Sequence, residues 1–112
     1  MERFIKGDVV VIPFPFSDLT GAKRRPSLVI TNLKGNDLIL CQITSKNIKD
    51  EYAIAITEED FEEGSLKRES NVRPNKIFTA DESVILYKAG RLKREKVEKI
   101  IETIIEIIKN NF

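Results

Sequence analysis

"SLVITNLKGNDLILCQITS", residues Ser27 to Ser45, places two runs of β-branched and aliphatic residues on either side of Lys34-Gly35-Asn36-Asp37. Gly, Asn and Asp are turn formers and the flanking runs have strand length, so the stretch predicts a hairpin with strands at Ser27–Leu33 and Leu38–Ser45. Upstream, "DVVVIPFPF" is β-branched and aromatic; Pro13 and Pro15 lack a ladder donor, which confines a first strand to about Asp8–Ile12. The intervening "SDLTGAKRR" is a polar loop with Gly21, and Pro26 steers Arg25 toward extended geometry. Together these segments predict a compact β meander.

Downstream, "YAIAIT" alternates as a fourth strand and "EEDFEEGSL" is a charged connection with room for one helical turn. "SNVR" and "KIFTA" read as two short strands around Pro74, and "SVILYKAG" as a last strand or extended segment. From Lys93 onward the pattern changes period: Val97, Ile100, Ile101, Ile104, Ile105 and Ile108 fall on one stripe of an amphipathic helix that packs on the sheet. Glu95 and Lys99 are placed for an i,i+4 pair. Ile107 falls off the stripe, a hint of a second apolar contact such as a partner subunit. The fold class is therefore mainly β with a C-terminal α-helix, a small bent sheet or barrel, expected as one domain over residues 1–112.

Composition narrows the function. Charged residues make up 33% of the chain, yet 19 Lys and Arg nearly cancel 18 Asp and Glu, for a net charge of +1. That balance argues against a protein that coats nucleic acid nonspecifically, which depends on many phosphate neutralisations. Residues 1–50 are nevertheless cationic, with eight Lys and Arg against five Asp and Glu, so a polyanion site belongs in the first half. No apolar run approaches the ~20 residues needed to span a bilayer. The N-terminal stretch lacks the pattern of a secretory signal, and the cytoplasm is the expected compartment. Cys41, the single cysteine, sits in an apolar strand and is expected to pack as a small hydrophobe.

The chain has no histidine, which excludes a Ser-His-Asp triad, a two-histidine acid–base pair and a zinc centre, and no glycine-rich phosphate loop is present. No metal or other cofactor is expected. Arginine, hydroxyl and carboxylate groups remain, a repertoire suited to phosphate chemistry, because the guanidinium fork matches phosphate oxygens bidentately. Lys23-Arg24-Arg25 directly before Pro26 is the densest such cluster.

"GDVVVIPF", the polar loop, "RRPSLVITN", "CQITS" and "SNVRPNKIFTAD" together resemble the MazF/PemK family of toxin endoribonucleases, through nearly the whole chain to the terminal helix. The resemblance implies an SH3-like barrel of the MazF/PemK/CcdB-like toxin fold. It also implies a homodimer, an antitoxin partner, and metal-independent cleavage of single-stranded RNA to 2′,3′-cyclic phosphate and 5′-hydroxyl ends. By position, Arg25 matches the family's catalytic arginine of the first loop, Thr44 its active-site threonine, and Arg73 a catalytic arginine of some members. Asn75 stands where those members carry an acidic residue, and Thr20 where a glutamate is frequent, with Asp18 two residues earlier.

Such a reaction needs a base for the 2′-hydroxyl, stabilisation of the phosphorane and a proton for the leaving oxygen. Arginine, with a pKa above ~12, suits the second role. Thr44 is expected to hydrogen-bond a phosphate oxygen. Asp18 and Glu69 are the candidate bases, and an enzyme without an efficient base is the other possibility. Lys23, Arg24, Ser45, Phe16 and Asn75 are the expected RNA contacts, Phe14 and Phe16 by stacking unless they pack in the core. For Arg73 the competing expectation is a salt bridge to Glu69 or Asp81. Two other functions remain open: a noncatalytic SH3-like RNA- or protein-binding module, and a gyrase-poison type of toxin, whose C-terminal tryptophan this chain lacks. The module has no need for Arg25 and Thr44 to lie within reach of one phosphate.

Overall fold

The computed structural model describes residues 3–14, 23–45 and 49–110, with only the main chain for Phe14 and Lys23. The strands are β1 (Asp8–Phe14), β2 (Lys23–Asn32), β3 (Asp37–Thr44), β4 (Ile54–Ile56), β5 (Phe61–Gly64), β6 (Ser70–Asp81) and β7 (Tyr87–Leu92), followed by the helix α1 (Arg94–Asn110). They form one curled antiparallel sheet, an open half-barrel, in the order β4-β6-β3-β2-β1-β7-β5. The expected hairpin is β2–β3, with Leu28 opposite Cys41.

Two prolines fall inside strands that the sequence reading ended sooner. β1 runs on through Pro13, which pairs with Arg24 of β2. On its other side β7 reaches only as far as Val11, so the missing proline donor faces no ladder there. Pro74 likewise does not divide "SNVR" from "KIFTA". β6 is continuous, and a bulge absorbs the proline: Cys41 pairs with Ile77 but Ile43 with Val72, leaving residues 73–76 opposite Gln42 alone. The charged connection forms a 3-10 turn at Glu58–Asp60 and then the short edge strand β5.

Both faces of the sheet are covered. On one, Val9, Leu28, Cys41, Ile43, Ile56, Phe61, Val72 and Leu92 pack with Val97, Ile100 and Ile104 of α1. On the other, Val10, Ile12, Val29, Leu38 and Leu40 pack with Phe4, Phe78, Ala80 and Ile85. The helical stripe is narrower than its periodicity implied: Ile105 is 45% and Ile108 67% exposed, whereas the off-stripe Ile107 is half-buried. The i,i+4 pair on α1 is Arg94–Glu98 at 3.1 Å, not Glu95–Lys99.

Asp8, 1% exposed, ties the start of β1 to β7. Its Oδ2 accepts the Ile5 N–H at 2.9 Å and its Oδ1 the Arg91 Nε–H at 2.9 Å, with Lys88 Nζ at 3.5 Å. Arg91 and Lys88 also reach Glu63, at 3.2 and 3.3 Å. Next to this cluster β5 and β7 approach closely at Gly64 and Gly90, which pair across the ladder. Gly64 has φ +66, and a Cβ there would lie 2.7 Å from Gly90 Cα and overlap the Ala89 carbonyl oxygen.

Candidate functional site

Strand alternation places every second residue on the same face. On β2 the positions that carry Val29 into the second core continue as Ser27 and Arg25; on β3 those that carry Leu38 and Leu40 continue as Gln42 and Thr44. The apolar cluster therefore gives way, at one end of its face, to a polar strip. Ser27 pairs with Gln42. That is the last pair of the β2–β3 ladder, and Arg25 and Thr44 follow it on the same face, each two residues further along its strand. Thr44 pairs on its other side with Asn71 of β6, two residues before Arg73. Thr44 is thus flanked by a strand bearing Arg25 and a strand bearing Arg73, neighbours being spaced ~4.8 Å apart in the sheet.

The three groups differ in their surroundings. Thr44 is 5% exposed, while Arg25 is half-buried. Arg25 Nε is buried with no hydrogen-bond partner, as is the hydroxyl of Ser27 beneath it. A buried guanidinium N–H without an acceptor costs free energy that an anion at the strip would recover. Arg73 is held instead. Its Nε and Nη2 both donate to Asp50 Oδ2 at 3.2 Å, and its carbonyl oxygen accepts from the Cys41 thiol at 2.9 Å. The partner of Arg73 is therefore Asp50, not Glu69 or Asp81, because the bulge at Pro74 turns this stretch of β6 toward the segment that follows β3.

Asp50, whose side chain is 9% exposed, also accepts the Tyr52 N–H on Oδ1 at 2.9 Å. That backbone hydrogen bond, with Arg73 and the Asn75 side chain, holds its carboxyl below the usual carboxylate range against the opposing effect of burial. Burial pushes the Cys41 thiol up to about 12, so it is a neutral donor and a core residue, as its apolar setting implied.

The other expected residues divide into three groups. Arg24, Ser45 and Asn75 are exposed near the strip. Glu69 is also exposed, but it lines a separate hollow with Thr57, Glu58, Glu59, Leu66 and Arg68. Phe16 and Asp18 lie outside the described residues, and Lys23 is placed only as the first residue of β2. Sequence reasoning missed Asp50, Ser27 and Gln42. Period-two alternation back from Thr44 and Arg25 identifies the last two; nothing local marks Asp50, which is 23 residues from the arginine it binds. Among the described residues no three His, Cys, Asp or Glu side chains cluster to hold a metal ion, and no helix is long and apolar enough to cross a membrane.

Solved structures of similar fold exist. One is an endoribonuclease of a mycobacterial species in complex with its cognate antitoxin: TM-score 0.74, 15% identity, 97% of this chain and 98% of that one covered. Another is the MazE–MazF complex of Deinococcus radiodurans, with TM-score 0.75, 15% identity and 96% and 97% coverage. A third, MazF of the same organism, has TM-score 0.75 and 14% identity, with 96% and 98% covered. No curated protein matches the sequence significantly. The description "PemK-like, MazF-like toxin of type II toxin-antitoxin system" matches residues 5–108, nearly the full length, and the chain belongs to that family.

Proposed function

We propose that the chain is a single-domain ribonuclease toxin that cleaves single-stranded RNA by attack of a ribose 2′-oxygen on the adjacent phosphorus. The O2′–P bond forms and the P–O5′ bond breaks. The 2′-hydroxyl proton passes to a base and a proton is delivered to O5′, leaving 2′,3′-cyclic phosphate and 5′-hydroxyl ends. The observation that carries this reading is the strip itself, with Arg25 and Thr44 on one face of adjoining strands just beyond the Ser27–Gln42 pair, and an Arg25 Nε that is buried and unpartnered.

In this reading the Thr44 hydroxyl donates to a nonbridging oxygen. The Arg25 and Arg73 guanidiniums offset the charge that develops on the phosphorane, where donors aimed at the transition state are worth most. Neither arginine serves as base, since a guanidinium offers five N–H donors and no acceptor. Asp50 is a poor base too, because it is committed to Arg73 and Tyr52. Asp18, or water, takes the proton; Glu69 lies in its own hollow. Arg24 and Lys23 draw the RNA backbone in and Phe16 stacks on a base. The chain works in the cytoplasm as a homodimer, restrained by its own antitoxin, as the antitoxin-bound relatives support.

The test is incubation with a defined long RNA in EDTA, followed by mass mapping of the fragment ends. Cyclic phosphate and 5′-hydroxyl ends at recurrent short sequences are expected. RNA that is bound but left intact would overturn the nuclease reading in favour of a noncatalytic module.

A further inference from the structure

The Arg73 guanidinium is restrained more tightly than the rest of the strip. Its Nε and Nη2 edge is taken by one oxygen of Asp50, whose other oxygen is fixed by the Tyr52 amide. Its main chain is fixed as well, by the Cys41 thiol on the Arg73 carbonyl at the bulge opposite Gln42. An arginine in this grip leaves Nη1 and the outward hydrogen of Nη2 on the edge turned away from the carboxylate, and its side chain is still 24% exposed. That is the arrangement of a pre-aimed donor rather than of a surface cation, because a free guanidinium on a flexible stem samples many positions while one with a clamped edge presents the other in a single direction.

We propose that Asp50 is a positioning residue for the cleavage reaction: it does not touch the RNA but clamps one edge of the Arg73 guanidinium so that the other edge meets the scissile phosphate beside Thr44. The proposal rests on the nuclease reading of this site. The Asp50 carboxylate is kept ionised by its hydrogen bonds throughout the neutral range, so the clamp stays closed at any pH at which RNA would be cleaved.

Single-turnover and steady-state cleavage by the parent, Asp50→Asn, Asp50→Ala, Arg73→Ala and Asp50→Ala/Arg73→Ala tests it. Asp50→Asn keeps the shape and an acceptor for the Tyr52 amide, so it separates loss of the clamp from loss of the loop. Misplacing a reacting group by about 1 Å costs on the order of 10²-fold in rate, so Asp50→Asn should lower kcat by roughly 10- to 100-fold with KM little changed. In the Arg73→Ala background Asp50→Ala should cost nothing further, since an act performed through Arg73 disappears with it. The Arg73 Nε–H resonance supplies a readout independent of catalysis, protected in the parent and exchange-broadened in Asp50→Asn.

Parent-like kcat in a folded Asp50→Asn variant overturns the proposal. So does a full additional loss in the double variant, which would make Asp50 a loop-building residue. Failure of the nuclease reading looks different: parent and variants alike leave RNA intact even though the Arg73 resonance still responds to Asp50→Asn, and the role assigned to Asp50 then falls with the reaction.

Discussion

Truncating Arg25 to alanine should separate stability from catalysis, and the structure sets the size of each effect. Truncation removes the Cγ and Cδ methylenes, each worth about 0.8 kcal/mol when fully buried, and Arg25 is half-buried, so the lost packing is about 1 kcal/mol. Against this, Arg25→Ala removes a buried Nε–H that lacks an acceptor, a liability of about 1–3 kcal/mol. Stability should therefore stay level or rise by up to about 2 kcal/mol. Catalysis should not survive: loss of one transition-state donor costs about 2.7–4 kcal/mol, or roughly 10²–10³ in rate. Urea unfolding with an unchanged m-value reads the first quantity, and single-turnover cleavage at saturating RNA reads the second. Arg25→Lys should rescue poorly, because an ammonium keeps the charge but not the fork. Lys23→Ala should keep most of the rate and bind RNA less tightly at raised salt. An Arg25→Ala protein that cleaves at the parent rate would refute the assignment of Arg25 to the reaction, and one that loses more than about 2 kcal/mol of stability would refute the reading of its Nε–H as a buried liability.

Gly64→Ala should destabilise by more than about 2 kcal/mol, since a Cβ there meets Ala89 and Gly90 and φ is positive; a Tm within a degree or two of the parent would contradict the packing at β5–β7. Asp8→Ala should cost roughly 2–3 kcal/mol, less than the usual loss for a broken buried pair, because Arg91 and Lys88 are 29% exposed and keep Glu63; chemical denaturation measures it, and a loss below about 1 kcal/mol would show that Asp8 is dispensable. The Asp50 carboxyl is held below 3.8 in the folded chain, so its contribution is full above that value and is lost as pH falls through the lower folded value. The stability gap between parent and Asp50→Asn should thus be constant near neutrality and shrink as pH falls below 3.8, and a gap that widened on acidification would show that Asp50 is not ionised in the fold.

The hairpin and the terminal helix were legible because each depends on local signals: turn formers at Lys34–Asp37, and apolar residues recurring at helical spacing from Val97. Strand ends at Pro13 and Pro74 were not. Whether a proline stops a strand depends on what lies on its donor side, which is a property of the finished sheet; β7 stops at Val11 and the β3–β6 ladder bulges. The exposure of Ile105 and Ile108 has the same origin, since periodicity names a helix face but not how much of it the sheet covers. At the site, Arg25, Thr44 and Arg73 are singled out by family resemblance, and strand parity puts Arg25 and Thr44 on one face, whereas Arg73 sits in the β6 bulge. Asp50 was invisible, because an acid in a connecting segment acquires meaning only when the β6 bulge delivers Arg73 to it.

The Asp8–Arg91 contact joins residues 83 positions apart, and β1 lies mid-sheet, with β2 on one side and the late strand β7 on the other. Time therefore enters the fold. Chains dominated by such nonlocal strand pairing fold in about milliseconds to seconds. Synthesis at about 5–20 residues per second is slower still, so the ribosome sets the pace. For most of that interval β1, β2 and β3 exist without the strand and helix that close them. The core that β1 shares with Leu92 and α1 therefore closes only after β7 and α1 have emerged, although the opposite face, with Phe78, Ala80 and Ile85, can pack earlier.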